Sequence, residues 1–313
     1  MDPLSTSEAQ PDLSIVVLSW NTRDLTLACL RALAGDRVTR SRQIVVVDNG
    51  SEDGSADAIA AAFPAVLLTR NAENIGYAAG NNQGAERATG KYLCLLNSDT
   101  EERAGALDRC VEFLEANPDY GAVAPKLVNP DGSVQRACMR FPGLGTALVY
   151  DLFWAKFPPG KWIDDRYYMR DFDHLHSRDV DQPPGACMVV HRHEFLAMGG
   201  LDPQLFLFFN DVDFCRRLWK RGRRIRYLAD AEVVHHGGAS TKKYGSFVVT
   251  WFRNRLAYYR KHYGRWAMPY LRTIVRLRGF EEWLRAGYRH DDPEQVRAER
   301  RHLRATLQEI LAP

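Results

Sequence analysis

The chain has 313 residues, 45% of them hydrophobic, enough for one large domain with a sizeable core or for a domain with a smaller appendage. Charged residues make up 26% and the net charge is only +3, so the chain as a whole is no polycation. The charge is uneven, however: from Trp251 onward 14 Lys and Arg face 7 Asp and Glu, a surplus of +7 that leaves −4 on the first 250 residues. Such a tail suits an anionic partner: lipid headgroups, a diphosphate or nucleic acid.

Met1–Asp12 is polar and reads as a disordered N-terminus rather than a signal peptide. Short apolar runs then follow at Leu13–Ser19, Gln43–Asp48, Val66–Thr69, Tyr92–Leu96 and Ala122–Ala124. Helix-like segments separate them at Arg23–Ala34, Ser55–Phe63, Tyr77–Ala88 and Ala104–Asn117. This alternation predicts an α/β fold with a mostly parallel, Rossmann-like sheet flanked by helices, its ligands gathered at the carboxyl ends of the strands. From about Asn129 to Asp181 the rhythm breaks into loops rich in Gly, Pro, Arg and aromatics, a length of loop that is usually functional. Order returns with a strand at Cys187–His191, a short helix near Glu194, an apolar stretch Leu205–Phe209 and a helix at Asp211–Arg221. Strands near Arg224–Leu228 and Glu232–His235 follow, and Gly245–Pro313 reads as two or three helices broken at Pro269 and Asp291-Asp292-Pro293. The six cysteines are scattered without a CxxC pair, so a disulfide framework or zinc site is not expected and a reducing cytoplasm fits. No run of about 18 apolar residues occurs, so no membrane span is expected.

Four constellations carry chemistry. In Val47-Asp48-Asn49-Gly50-Ser51, Asp48 ends a buried strand and is placed to accept from a pyrimidine N–H or from ribose hydroxyls, whereas Asp53 suits a helix cap. In Arg70 to Asn82, small residues permit close backbone approach to a ligand, or equally a tight turn and close helix packing. In Leu96-Asn97-Ser98-Asp99-Thr100, a strand ends in a carboxylate fit to hold a divalent ion such as Mg²⁺ or Mn²⁺, the alternative being that Asp99 or Thr100 caps a helix starting near Glu101. In Phe208-Phe209-Asn210-Asp211-Val212-Asp213, an aromatic wall precedes Asp211, which reads either as a general base or as a helix N-cap. Asp213 and Arg217, four apart, read as an ion pair. Downstream, His235 at a strand end is a candidate for metal or phosphate; His236 beside it reads more readily as structural.

The order of these motifs resembles the family 2 glycosyltransferases of the GT-A fold, and is closest to their bacterial rhamnosyltransferase-like branch. The matching stretches are Ser19-Trp20-Asn21-Thr22, Val47 to Ser51, Asn74 to Asn82, Leu96 to Thr100, Gly199-Gly200-Leu201-Asp202, Asn210 to Asp213 and Val234-His235-His236-Gly237-Gly238. The resemblance spans roughly Leu13 to Gly264. It implies an inverting transfer from a nucleotide-diphosphate sugar, with Ser19, Asn21, Asp48, Arg70, Asn74, Gly76, Asn97 and Ser98 on the donor side. Asp99 and His235 would hold a Mg²⁺ or Mn²⁺, Asp211 would deprotonate the acceptor hydroxyl, and Gly185, Ala186 and Asn210 would line the acceptor side. Two positions depart from the family pattern: Ser98, where Pro is frequent, and Asn210, where Glu is usual. An amide cannot serve as a base, so the acceptor contact is altered there.

The resemblance implies a hexose donor, dTDP-L-rhamnose being the first choice, and a glycan or polyprenyl-diphosphate-linked acceptor. The expected organisation is a disordered 1–12, a GT-A catalytic domain over 13–244 with a nucleotide half (13–125) and an acceptor half (126–244), and a helical, basic and aromatic extension over 245–313. The location expected is cytoplasmic, with the extension either resting on the anionic inner face of the membrane or packing on the catalytic domain or a second subunit. A nucleotidyltransferase is disfavoured, because no Gly-rich basic loop follows the first strand. A binding protein that has lost turnover would retain no need for Asp99, Asp211 and His235 together. Nucleic acid is not an expected partner, since no binding motif accompanies the basic tail.

Overall fold

The computed structural model describes residues 10–35, 38–149, 152–237 and 247–312. Residues 1–9 of the expected disordered terminus, Gly238 to Ser240 of the histidine motif and the 244/245 boundary lie outside the described residues. In chain order the elements are β1 (Leu13–Ser19), α1 (Arg23–Gly35), β2 (Arg42–Asp48), α2 (Ser55–Ala62), β3 (Leu67–Arg70), α3 (Tyr77–Arg87), β4 (Tyr92–Asn97), β5 (Thr100–Arg103), α4 (Ala106–Ala116) and β6 (Tyr120–Val128). Next come α5 (Leu144–Val149), α6 (Gly160–Tyr167), β7 (Arg178–Asp179), β8 (Cys187–His191), α7 (Arg192–Ala197), α8 (Asn210–Lys220) and β9 (Arg224–His235). Three helices close the chain: α9 (Phe247–Tyr263), α10 (Met268–Arg289) and α11 (Pro293–Leu311).

The strands form one sheet in the order β3-β2-β1-β4-β8-β6-β9-β5, with β7 alongside β9. The first four are parallel, and their register sets Ser19 beside Asp48 and Asp48 beside Arg70, with Leu18 beside Asn97. The candidate donor residues thus share one edge. Beyond β4 the sheet turns mixed: β8 runs antiparallel to β4 and β6, and β5 antiparallel to β9. Successive residues of β1 feed opposite cores, as the period of two requires. Val17 packs with Leu30, Leu107 and Val111 under α1 and α4. Val16 packs with Ala85, Phe195 and Phe214 under α3, α7 and α8. Gly80 and Gly84, one turn apart on α3, lie so close to the sheet that a Cβ would stand 2.5 Å from Leu18 and 2.4 Å from Val16. The small residues of the Asn74–Asn82 motif therefore serve close helix packing at least here.

The alternative for Asp99, a cap on a helix near Glu101, does not hold: Thr100–Arg103 is a short strand, and the helix lies within the expected Ala104–Asn117 segment. Thr100 and Glu102 point inward, and Glu102 is met by the Arg42 guanidinium at 2.6 and 3.0 Å, which also reaches Asp108 at 2.6 Å. A buried carboxylate with that partner is satisfied in a strand, so the helix starts only after Ala104 and Gly105, both at positive φ. The irregular 129–181 stretch is ordered by long-range polar contacts without a sequence period. In particular, the His174 Nε2 accepts from the Cys138 N–H at 3.1 Å, and the Tyr227 hydroxyl donates to the His174 carbonyl at 2.9 Å. All six cysteines are buried thiols.

The closing helices pack on the α/β body through α9. Leu205, Phe209 and Val212 share a core with Val249, Leu256, Tyr258 and Tyr259. The Asn254 side-chain Oδ1 accepts from the N–H groups of Leu207 and Phe208, both at 3.0 Å. Asp213, wholly buried, receives Arg217 at 2.8 Å, Lys261 at 2.9 Å and His262 at 2.8 Å. Burial alone would raise its pKa, but these three partners outweigh it and bring the carboxyl down to about 2. The stabilisation this gives is complete above the ordinary carboxylate value and is lost as pH falls toward about 2. Asp213→Ala leaves the cations facing an apolar void and is expected to lower stability in urea by about 3–5 kcal/mol at pH 7. The difference from wild type should narrow steadily as the melts are repeated below pH 4.

Candidate active site

The turn after β1 is built from hydroxyls. The Ser19 Oγ meets the Thr26 Oγ1 at 2.9 Å, and the Thr22 Oγ1 meets the Ser98 Oγ at 2.9 Å, all of them buried. The Ser19 and Ser98 side chains thus tie the first loop to the Asn97–Asp99 loop rather than presenting hydroxyls to a ligand. Asn21, at φ 53°, accepts from the Glu52 N–H at 2.8 Å and donates its own N–H to the Ser51 hydroxyl at 2.9 Å, bracing the loop after β2. Within that loop the Asp48 Oδ1 accepts from the Ser51 N–H at 3.0 Å, while its Oδ2 is buried with no partner among the described residues. A buried carboxylate oxygen left unpaired beside a strand end is a place for a ligand's N–H or O–H.

Asn49 and Asn74 knit the second and third loops. The Asn49 amide donates to the Asn74 Oδ1 at 2.9 Å, and its Oδ1 accepts from Asn71 at 3.0 Å and from the Ile75 N–H at 3.2 Å. The Asn74 Oδ1 also accepts from the Gly76 N–H at 2.9 Å, so both motif residues are engaged in shaping backbone. Arg70 turns outward to Asp57 at 2.5 Å and is half-exposed.

The second part of the site lies where β5 meets β9. Thr100 pairs with His235, and the His235 Nε2 stands 3.5 Å from the Asp99 Oδ1. Gln135 fixes the histidine. Its Nε2 donates to the carbonyls of His235 at 2.6 Å and of the Asn129 side chain at 2.7 Å, so its Oε1 must accept from the His235 Nδ1–H at 2.8 Å. The Nε2 is then the nitrogen turned toward the carboxylate, a donor to it when the ring is protonated and a metal ligand when it is not. Burial opposes ionisation of Asp99, but His235 more than offsets it and holds the carboxyl below its ordinary value. A carboxylate oxygen and an imidazole nitrogen in this setting fit a divalent ion that draws its remaining ligands from phosphates and water. Among the described residues no three His, Cys, Asp or Glu gather to hold a metal by themselves. His236 instead pairs with Glu101 at 2.7 Å.

The third part is Asp211. Its Oδ1 accepts from the Val212 N–H at 2.8 Å, and its Oδ2 lies against Gly185, where a Cβ would stand 2.3 Å from it. Burial raises the Asp211 pKa above the ordinary value, against the pull of the Val212 N–H. The residue before the helix, Phe209, sits at φ 65°, a costly conformation for an aromatic. It is held by rings of Trp251 and Tyr258 at 5.8 and 5.4 Å and by Asn210. Asn210 is buried; it donates to the carbonyls of Leu207 at 3.0 Å and Leu205 at 3.4 Å, and accepts from the Asp211 N–H at 2.8 Å. The amide thus shapes the turn that presents Asp211. A Glu there could not donate to those carbonyls, which gives the departure from the family pattern a physical reason.

One side chain joins the two charged parts. The Tyr77 hydroxyl lies 3.1 Å from the Asn97 Oδ1 and 3.2 Å from the Gly185 carbonyl. Burial first, and then the charge of Asp211, push its phenol up, so it keeps its proton and donates. The Ala186 carbonyl also accepts from the Asn97 N–H at 2.9 Å, while its methyl group is buried in the core. Asn97, two residues before Asp99, and Gly185, against Asp211, are therefore held at one point. Tyr77, Asn49 and Gln135 escaped the sequence reading as site residues. Tyr77 lay inside a recognised motif and Asn49 beside Asp48, but Gln135 sits in the irregular stretch, where no local signal marks it.

Gly185→Ala is expected to push the Asp211 carboxylate aside and lower kcat by about a hundredfold, with the fold retained. Tyr77→Phe removes a hydroxyl and should lower kcat about tenfold while the KM for donor stays within about twofold. Steady-state kinetics beside circular dichroism would check both.

Known proteins resemble the chain in sequence and in fold. Residues 14–160 match the model of glycosyl transferase family 2. An N-acetylglucosaminyl-diphospho-decaprenol L-rhamnosyltransferase of Mycobacterium tuberculosis is 30% identical over 216 residues, spanning 64% of this chain and 69% of that protein. Among solved structures, a mannosyltransferase from Pyrobaculum calidifontis in complex with GDP-Man and Mn²⁺ superposes with a TM-score of 0.55 at 16% identity, covering 97% of this chain and 86% of that one. GalNAc-T7 with UDP, GalNAc and Mn²⁺ gives 0.54 at 16% identity, covering 80% and 50%. The fold is that of the GT-A glycosyltransferases, with helices added at the C-terminus, and the chain belongs to glycosyl transferase family 2, as a rhamnosyltransferase-like member.

Proposed function

We propose that this glycosyltransferase is metal-dependent and moves a hexose, L-rhamnose from dTDP-L-rhamnose by first choice, onto a hydroxyl of a polyprenyl-diphosphate-linked glycan with inversion. The observation that carries the proposal is the Tyr77 junction, which ties the Asp99 loop to the Gly185 seat of Asp211. The Mycobacterium relative is named for a rhamnosyl transfer to a decaprenyl-diphosphate-linked sugar, and both superposed structures hold Mn²⁺ with a nucleotide or nucleotide sugar.

In this reading the free Oδ2 of Asp48 accepts from the base or ribose of the donor. Asp99 and His235 would hold a Mg²⁺ or Mn²⁺, which would offset negative charge on the departing diphosphate. Asp211 stands across the sugar, and its Oδ2 takes the proton of the acceptor hydroxyl. The hydroxyl oxygen forms its bond to the anomeric carbon as the bond from that carbon to the diphosphate oxygen breaks on the far side. One displacement inverts the centre, so one carboxylate suffices. A raised pKa suits Asp211 to this work, because a more basic carboxylate takes a proton more readily. A protein that binds donor without turnover is disfavoured by Asn210: its amide is accounted for by the turn it caps, and the base beside it is kept.

Asp211→Asn is expected to leave donor binding by calorimetry within about twofold and to lower transfer by about a thousandfold. Transfer that survives in this variant would remove Asp211 as the base. EDTA should abolish turnover and Mn²⁺ restore it. The rate needs ionised Asp211, so kcat/KM should rise with pH and level off only above the ordinary carboxylate range.

A further inference from the structure

The basic, aromatic C-terminal extension divides into two surfaces. On α9, Tyr258 and Tyr259 are buried, and the Tyr259 and Tyr263 hydroxyls donate to the carbonyls of Gly143 and Pro142. At the start of α10 the Tyr270 hydroxyl likewise donates to the Leu144 carbonyl at 3.0 Å. Beyond it, Leu277 (47% exposed), Phe280 (56%), Leu284 (43%) and Tyr288 (93%) follow one another at spacings of three, four and four, which keeps them on one face of the helix. Trp266, 70% exposed, precedes them in the turn that leads into α10.

The charge around this stripe is positive and available. Arg278, Arg285 and Arg289 are taken up by Glu281 and Glu282. Arg265, next to Trp266, and Arg276, one turn before Phe280, are exposed and have no carboxylate partner among the described residues. The Phe153 N–H reaches Glu281 at 3.4 Å, which brings the exposed Phe153 and its neighbour Lys156 alongside α10. No helix among the described residues is long and apolar enough to cross a membrane. An apolar stripe with cations at its border is the makeup of a surface that lies in the headgroup region of a bilayer.

We propose that the outer face of α10, with Trp266 and Arg265 at its start, docks on an anionic phospholipid surface. Apolar side chains enter the acyl boundary while Arg265 and Arg276 meet phosphates. Charge argues against a second copy as the occupant: a two-fold pairing of this face would bring the same cations together, whereas anionic lipid complements them. The inference deepens the function proposed above and rests on it for its purpose, since an enzyme seated in this way meets a polyprenyl-linked acceptor in the plane of the bilayer.

The test is flotation of the full chain with vesicles of phosphatidylcholine alone or mixed equally with phosphatidylglycerol. The chain should float with the anionic vesicles only and be released by high salt. Phe280→Ser with Leu284→Ser, and separately Arg265→Glu with Arg276→Glu, should each cut the bound fraction about tenfold or more, with unchanged melting. Flotation needs no turnover, and all variants should keep wild-type kcat on a detergent-soluble acceptor of short chain, so an inactive protein that still floats counts against the proposed function alone. Failure of the wild type to float, equal flotation without phosphatidylglycerol, or variants that float like wild type would overturn the docking face. A dimer by light scattering that the Phe280/Leu284 variant dissolves would assign the face to a second copy instead.

Discussion

At the end of β4 the parallel half of the sheet meets its first antiparallel neighbour, and the chemistry hangs on how that seam is fastened. The Asn97 N–H bonds the Ala186 carbonyl, and the Tyr77 hydroxyl bridges the Asn97 side chain to the Gly185 carbonyl. On one side of the seam the chain runs two residues on to Asp99; on the other, Gly185 leaves room for the Asp211 carboxylate. The Asp99 loop and the seat of Asp211 are thus fixed relative to each other by partly buried hydrogen bonds, which resist displacement because breaking them leaves polar groups poorly solvated.

The remaining architecture keeps those two groups different in character. Asp99 has His235 beside it, oriented through Gln135, and its carboxyl is held ionised. Asp211 accepts from the Val212 backbone N–H, with no cationic partner among the described residues, and burial raises its pKa. Opposite shifts in two carboxyls of one site suit a division between charge-holding and proton-taking work. The C-terminal helices contribute to the second environment. Asn254 holds the loop before Asp211, and Lys261 and His262 anchor Asp213 one half-turn beyond it. They are therefore part of what positions Asp211, and the outer face of α10 takes no part in that contact.

Much of this was legible in the residues. Apolar runs ending in polar groups gave β1, β2 and β4 to within a residue or two, because a strand covered on both faces must be apolar throughout. Asp48, Asp99, Asp211 and His235 stood out as polar groups at such ends, and the register of the sheet brings the first two to one edge. What escaped was set by distant partners. Thr100–Arg103 is a strand because Arg42 reaches the buried Glu102, a contact across 60 residues that no local pattern encodes. Ser19 and Ser98 sit at strand ends yet bond the hydroxyls of Thr26 and Thr22, and Arg70 pairs with Asp57, since side-chain direction at a strand end depends on the next loop. Gln135 is held to His235 of β9 by two side-chain hydrogen bonds, and His174 takes the Tyr227 hydroxyl of the same strand, contacts invisible to any periodicity.

Diffraction at the manganese absorption edge, from crystals grown with Mn²⁺ and a nucleoside diphosphate, tests the central claim most directly. The account predicts one anomalous peak within bonding reach of the Asp99 carboxylate and the His235 Nε2, with the diphosphate between that ion and the open side of Asp211. A cation bound elsewhere, or a diphosphate on the opposite side of the sheet from Asp211, would contradict it.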